Sequence, residues 1–462
     1  MQGTDCRECI RLTGSLTLTL SLARKSHAVE DVRRVWKSGS DLCGGYSQRF
    51  GESSMTDVTS PDSGAAEAAP AYRTGAPPEA RSLFAGGPPQ RLEAWLGLIR
   101  VGKPRFARLA LLAVMVGWVP LVLLTALHGD LVRTDISNAF LPDFGVHARF
   151  LLATPLLILA EALCVPRLSA VAREFLEAGL VSDADRPRYD LAVTSSQRLM
   201  RSRRVEIAVI VLAYALVLVS ARAAPPDAVP GWHGQLNPLA PTPAGWWGLL
   251  ISLPLLLSLL LGWFWRICVW TRFLWLMNGL HLQLDPSHPD HAGGLRFVGL
   301  SLEGFLPVAF AVGVIAAGPV ANQVVHHHLD PMQFKSVAFG AAGIVVFVCA
   351  GPLLVFVRRL IEAHHQGILE YTALAMQMGD RFRSRWMRPR QRLDEGTVDM
   401  SDFTGTNASY SIAANAFSIQ ILPVELRSVG LLIVTTFLPF VPVWLLAVPF
   451  GAVIKRLGDF ML

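Results

Sequence analysis

The densest group of chemistry-bearing residues is the run Asp285-Pro286-Ser287-His288-Pro289-Asp290-His291-Ala292-Gly293-Gly294-Leu295. Imidazole and carboxylate ligate zinc and similar divalent transition metals. His288, Asp290 and His291 could therefore converge on one such ion, which would act as a Lewis acid or activate water. Three donors from one short loop leave that coordination incomplete. The plainer reading is a wet, proline- and glycine-rich turn between two helices. A second group follows in Glu362, His364, His365, Glu370 and Tyr371. Glu362 and His365 stand three apart and share a helix face, the spacing that di-iron bundles use twice. One copy occurs here, so a solvated helix face competes with a metal site.

Three further features complete the inventory. Glu161 is an acid well inside an apolar run, and an ionisable side chain there is a functional candidate by default; pairing with Arg167 is the structural alternative. His326-His327-His328 reads as a solvated tip. Cys6 and Cys9 have half the spacing of a zinc knuckle, with only Cys43 and His27 to complete it. No phosphate-binding glycine loop, Gly-x-Ser-x-Gly elbow or His-Glu-x-x-His motif occurs.

The elements that must hold these residues are membrane helices. Hydrophobic residues make up 52% of the chain, charged residues only 16%, and the mean hydropathy is +0.41. Soluble domains carry about 25% charged residues, so this surface faces lipid. Seven segments approach the roughly 20 apolar residues that cross a hydrocarbon core: 109–127, 150–165, 205–221, 246–265, 305–320, 337–357 and 429–454. Lipid satisfies no backbone group, which leaves helix as the spanning form. The fold class is therefore all-α, a polytopic transmembrane bundle of about seven spans. The second and fifth segments are short and should continue as helix beyond these limits. The seventh contains Pro439, Pro442 and Pro449 and is either a kinked span or a re-entrant segment.

Basic residues set the orientation. The connections after the second, fourth and sixth spans hold 20 Arg and Lys, and those after the first, third and fifth hold four. The positive-inside rule then places the N-terminus and the long connections 166–204 and 358–428 in the cytoplasm. The same placement accounts for the net charge of +6 without a nucleic-acid partner. Arginine dominates the basic residues, as in a GC-rich bacterial genome, and points to a bacterial inner membrane. The Arg-rich stretch Arg381–Arg392 is placed to meet anionic lipid headgroups.

Residues 1–90 lack helical or strand periodicity and are expected to be a disordered extension. Met55 is an alternative start, which would make residues 1–54 an artefact of the assumed initiation site. The remainder carries a resemblance. His288-Pro289-Asp290, then Gly293-Gly294-Leu295 and Phe297, with Leu369-Glu370-Tyr371 downstream, resembles a family of bacterial multi-pass membrane proteins with a His-Pro-Asp-x-x-Gly-Gly-Leu cytoplasmic loop. The resemblance spans about residues 91–462. It implies a membrane fold and a shared role for the loop, and no substrate.

Three functions fit these features. One is a transporter or channel for a small solute or ion, with proline-broken helices and Glu161 in its path. The second is a membrane-embedded enzyme with a divalent metal at His288, Asp290 and His291, aided by His365 or Glu370. The third is a non-catalytic membrane scaffold or sensor. The helix breaks and Glu161 place transport first.

Overall fold

The computed structural model describes residues 99–100, 103–104, 106–132, 139–223, 230–235, 240–386, 400–420 and 422–447. The extension 1–90 with its cysteines, most of the Arg-rich stretch beyond Trp386, and the seventh segment past Ala447 lie outside the described residues. Among the described residues, six helices are long and apolar enough to cross a membrane: Phe106–His128, Phe144–Glu177, Arg203–Ala223, Pro243–Asn278, Leu306–His327 and Pro331–Ser384. Each contains or overlaps one of the first six expected spans. The described strands are two antiparallel pairs of two-residue β-segments. The chain is an all-α polytopic bundle.

The helices outrun the bilayer because their sequences change character without a break. The second, fourth and sixth are 34, 36 and 54 residues long. At 1.5 Å per residue they reach about 50 to 80 Å, against a hydrocarbon core of about 30 Å. In the sixth, a 3-10 turn at Gly351–Phe356, opening with Pro352, separates the apolar helix Lys335–Ala350 from the amphipathic helix Val357–Trp386. Met400–Phe417 returns antiparallel along that amphipathic helix: His364 Nδ1 lies 3.2 Å from Ala416 O, and Gly379 faces the Tyr410 hydroxyl. The seventh segment breaks at Leu438-Pro439 into Leu426–Phe437 and Phe440–Ala447. Twelve residues rise only about 18 Å, so the first piece does not cross the core by itself.

Leu306–His327 is the centre of the bundle. Of its apolar window 56% is buried, against 22% for Arg203–Ala223 at the periphery. Its small residues let neighbouring backbones approach, as membrane helix packing requires. A Cβ on Gly313 would overlap the carbonyl oxygen of Thr436 in the seventh segment. One on Gly318 would come 2.7 Å from the Ala148 Cβ at the start of the second span. Below this contact a continuous core runs through Trp263, Trp270, Phe175, Phe273, Phe305 and Phe356. The outward faces expose Leu111, Leu127, Val211, Val219, Phe264, Phe339 and Phe347. Soluble monomers rarely leave so much apolar surface open. It faces acyl chains.

Two spans begin irregularly. Ala148–Ala153 and Gly248–Ser252 are π-helical segments that follow the short α-turns Phe144–His147 and Pro243–Trp247. Such insertions leave carbonyls to be satisfied by side chains, and they recur at functional sites. Thr154 Oγ1 donates to Arg149 O at 2.8 Å, and Ser252 Oγ donates to Gly117 O at 2.7 Å. The second bond ties the fourth span to the first.

The close approach at Gly313 is testable. Gly313→Ala should destabilise the detergent-solubilised protein by about 1–3 kcal/mol through overpacking. Gly343→Ala, where nothing lies within 4 Å, should be neutral or slightly stabilising. Thermal unfolding followed by gel filtration measures both, and equal midpoints for the two variants would contradict this packing.

Candidate functional site

The His288 loop folds around a carboxylate. Asp290 Oδ1 accepts from the backbone N–H of Ala292 at 2.9 Å and of Gly294 at 3.1 Å, while Oδ2 accepts from Arg296 N at 3.2 Å. His288 Nδ1 lies 2.8 Å from Oδ1. Partial burial opposes the charge on Asp290, but these donors prevail and hold its carboxyl below the usual carboxylate range. The turn needs left-handed backbone at His291, Gly293 and Gly294, with φ of +55°, +62° and +90°. His291 turns away from His288, and its Nδ1 lies 2.7 Å from Ser418 Oγ.

The loop joins the elements around it. Arg296 Nε donates to Glu425 Oε1 at 2.7 Å, and Gln420 N donates to His291 O at 2.7 Å. Gln283 N bonds Leu180 O, and His281 N donates to Asp185 Oδ2 at 3.1 Å. The His281 N–H is the main reason that the Asp185 carboxyl also lies below its ordinary range. Of the expected trio, then, His288 and Asp290 meet and His291 serves a different contact.

The downstream group is spread along one helix. Glu362 pairs with Arg358 at 3.0 Å, one turn back, rather than with His365. His365 and Glu370 are exposed. Among the described residues, no three His, Cys, Asp or Glu side chains are grouped to hold a metal ion.

Glu161 has a partner that sequence reasoning placed elsewhere. Arg266 Nη2 donates to Glu161 Oε2 at 2.7 Å, and the two side chains are 3% and 12% exposed respectively. Arg167, the expected partner, donates instead to Glu303 O. The apolar window of the fourth span ends at Trp265, so by sequence Arg266 falls in the connection that follows. The helix in fact runs on to Asn278 and carries Arg266 inside the bundle. The guanidinium also lies 4.8 Å from the Trp263 ring centroid, an attractive cation–π geometry. Trp263 Nε1 in turn donates to Leu157 O at 2.9 Å. The pair thus clamps the second span to the fourth.

A second interior cluster lies at the opposite end of the bundle and was not anticipated. Asp143 caps the helix that opens the second span: its Oδ1 accepts from Val146 N at 3.2 Å and from Asn322 Nδ2 at 2.8 Å. Its Oδ2 accepts from Trp232 Nε1 at 3.1 Å. Asn322 Oδ1 completes the exchange by accepting from Phe144 N at 2.7 Å. Arg149 crowds the same spot, since a Cβ on Gly145 would stand 3.1 Å from Asp143 Oδ1 and 3.8 Å from Arg149 Nη2. Trp118 Nε1 donates to His147 Nδ1 at 3.0 Å, so His147 Nε2–H donates to Leu141 O at 3.0 Å. His326 is part of this packing, beside Phe144, rather than part of a free tip; His327 and His328 are exposed. Asn322 and Asp143 did leave a trace in the sequence: an amide in an apolar run, and an acid directly before one.

These features define a class, the polytopic helical membrane protein with buried polar clusters between its spans. No family model, curated protein or solved structure matches the chain.

The cluster makes a pH prediction through His233, whose ring stacks on Trp232 at 3.8 Å between centroids. Burial pushes its pKa down to about 4; Asp143 opposes the fall and Arg149 adds to it. The unfolded imidazole titrates near 6.5, so the folded state binds fewer protons between pH 6.5 and 4. The stabilisation is complete above about pH 6.5 and is lost as pH drops toward 4. His233→Gln should flatten the fall in thermal midpoint between pH 7 and pH 5. An unchanged pH dependence in that variant would contradict a half-buried His233 held neutral.

Proposed function

We propose that the protein is a transporter or channel for a small ion or solute, with Glu161 as its intramembrane charged group. The observation that supports this most is the Glu161–Arg266 pair inside the bundle. Holding two charges out of water is expensive, and apolar residues of equal volume would serve stability as well or better. Ionisable side chains within spans mark ion and proton pathways. The two π-segments and the Asp143 cluster extend a polar interior toward the other end. The surplus of Arg on alternate connections supports a bacterial inner-membrane orientation with the N-terminus and the His288 loop in the cytoplasm. A metal enzyme at His288, Asp290 and His291, the competing reading, would require His291 to leave Ser418 and turn toward the other two.

Proteoliposomes separate the functional role from the structural one. Vesicles holding wild-type protein and a pH-sensitive dye should leak protons, or K⁺ or Cl⁻ in parallel assays, faster than empty vesicles. Glu161→Gln leaves Arg266 buried without its counter-charge and should cost about 3–5 kcal/mol of stability. The double variant Glu161→Gln/Arg266→Met should recover that stability while the flux stays lost. Full flux in the stable double variant would contradict the role of Glu161, and wild-type flux of all three ions equal to that of empty vesicles would contradict an ion path.

A further inference from the structure

A cavity of about 600 Å³ opens between the connecting helix Arg186–Met200 and the far end of the fourth span. The connecting helix lines it with Arg188, Leu191, Thr194, Ser195 and Arg198, and the fourth span with Arg272, Trp275 and Leu276. Arg272 Nη1 donates to Ser195 Oγ at 3.0 Å and lies 3.5 Å from Ser196 Oγ, so it is held in place by hydroxyls rather than by a carboxylate. Arg188 is partly neutralised by Asp185 at 3.1 Å. The other nearby acid, Asp190, lines the neighbouring cavity with Arg173 and Arg186. Three guanidinia thus reach a pocket whose lining is otherwise largely apolar.

Its height in the bundle follows from tryptophans on the same helix. Trp246 is 41% exposed and Trp275 is 65% exposed, near opposite ends of Pro243–Asn278. Twenty-nine residues separate them, a rise of about 44 Å. That equals the roughly 40–45 Å of a bilayer with its headgroup layers, where exposed Trp collects. Trp275 and the cavity beside it sit at headgroup depth. A ligand filling the site must offer an anion to two or three guanidinia and an apolar body to Leu191 and Trp275. Phosphate is the anion that Arg clusters recognise best.

We infer that this cavity is a binding site for an anionic phospholipid, with its phosphate between Arg198 and Arg272 and its glycerol-acyl region against Leu191 and Trp275. The inference does not depend on transport. The full-length protein in neutral detergent is titrated with phosphatidylglycerol, phosphatidylcholine or glycerol 3-phosphate, and adducts are counted by native mass spectrometry. Phosphatidylglycerol should bind in preference to phosphatidylcholine. Arg198→Gln alone should weaken it about fivefold, and Arg198→Gln/Arg272→Gln should weaken it further. Arg198 is exposed, so the single variant keeps the test valid if the double variant fails to fold. Equal phosphatidylglycerol binding by Arg198→Gln and wild type would overturn the site. Displacement of the lipid by millimolar glycerol 3-phosphate would assign the pocket to a soluble phosphate ester instead, and would overturn the lipid assignment.

Discussion

Hydrocarbon offers no hydrogen bond, so every polar group carried into it must be met by another part of the protein. That constraint organises the bundle. Arg266 enters the interior only because Glu161, 105 residues away in sequence, meets it at 2.7 Å and Trp263 covers one side of its guanidinium. The first π-segment leaves Arg149 O to the Thr154 hydroxyl, and Ser252, in the second, donates to Gly117 O of the first span. Asp143 gathers donors from its own helix, from Asn322 and from Trp232. Arg266, Ser252 and Asp143 each reach a partner on a different part of the path through the membrane. The polar contacts are thereby the cross-links of the fold.

Between those cross-links the packing depends on the absence of side chains. Gly313 and Gly318 bring the fifth span against the seventh segment and the second span, and lipid provides no hydrophobic push that could replace such contact. The result is a closely packed centre with polar clusters toward its two ends. One lies around Glu161 and Arg266 on the side of the His288 loop. The other lies around Asp143 at the opposite end.

The spans were legible because a run of about 20 apolar residues admits few other readings. Their limits were not, since a helix does not stop where hydropathy does. Arg266 follows the aromatic end of an apolar window and reads as a connection, yet the helix carries it for another twelve residues, to Asn278. The Asp143 cluster was hidden for another reason. Its partners stand 89 and 179 residues away, and no local period encodes that distance. The His288 loop was the reverse case. Its Asp, His and Gly residues stood out in the sequence, and the left-handed turns their glycines permit were foreseeable. That Asp290 would point inward at Ala292, Gly294 and Arg296 N–H groups follows only once the turn is closed.

The central claim is that the chain crosses a bilayer repeatedly and holds the His288 loop and the His326–His328 turn on opposite faces. Single-cysteine variants His288→Cys, His327→Cys and Trp386→Cys in a cysteine-free background, exposed to an impermeant maleimide in intact cells, measure this directly. Position 327 should label in intact cells, and positions 288 and 386 only after the cells are opened. Labelling of 288 or 386 in intact cells with 327 protected would contradict the orientation. Labelling of all three positions on one side would contradict the path through the membrane itself.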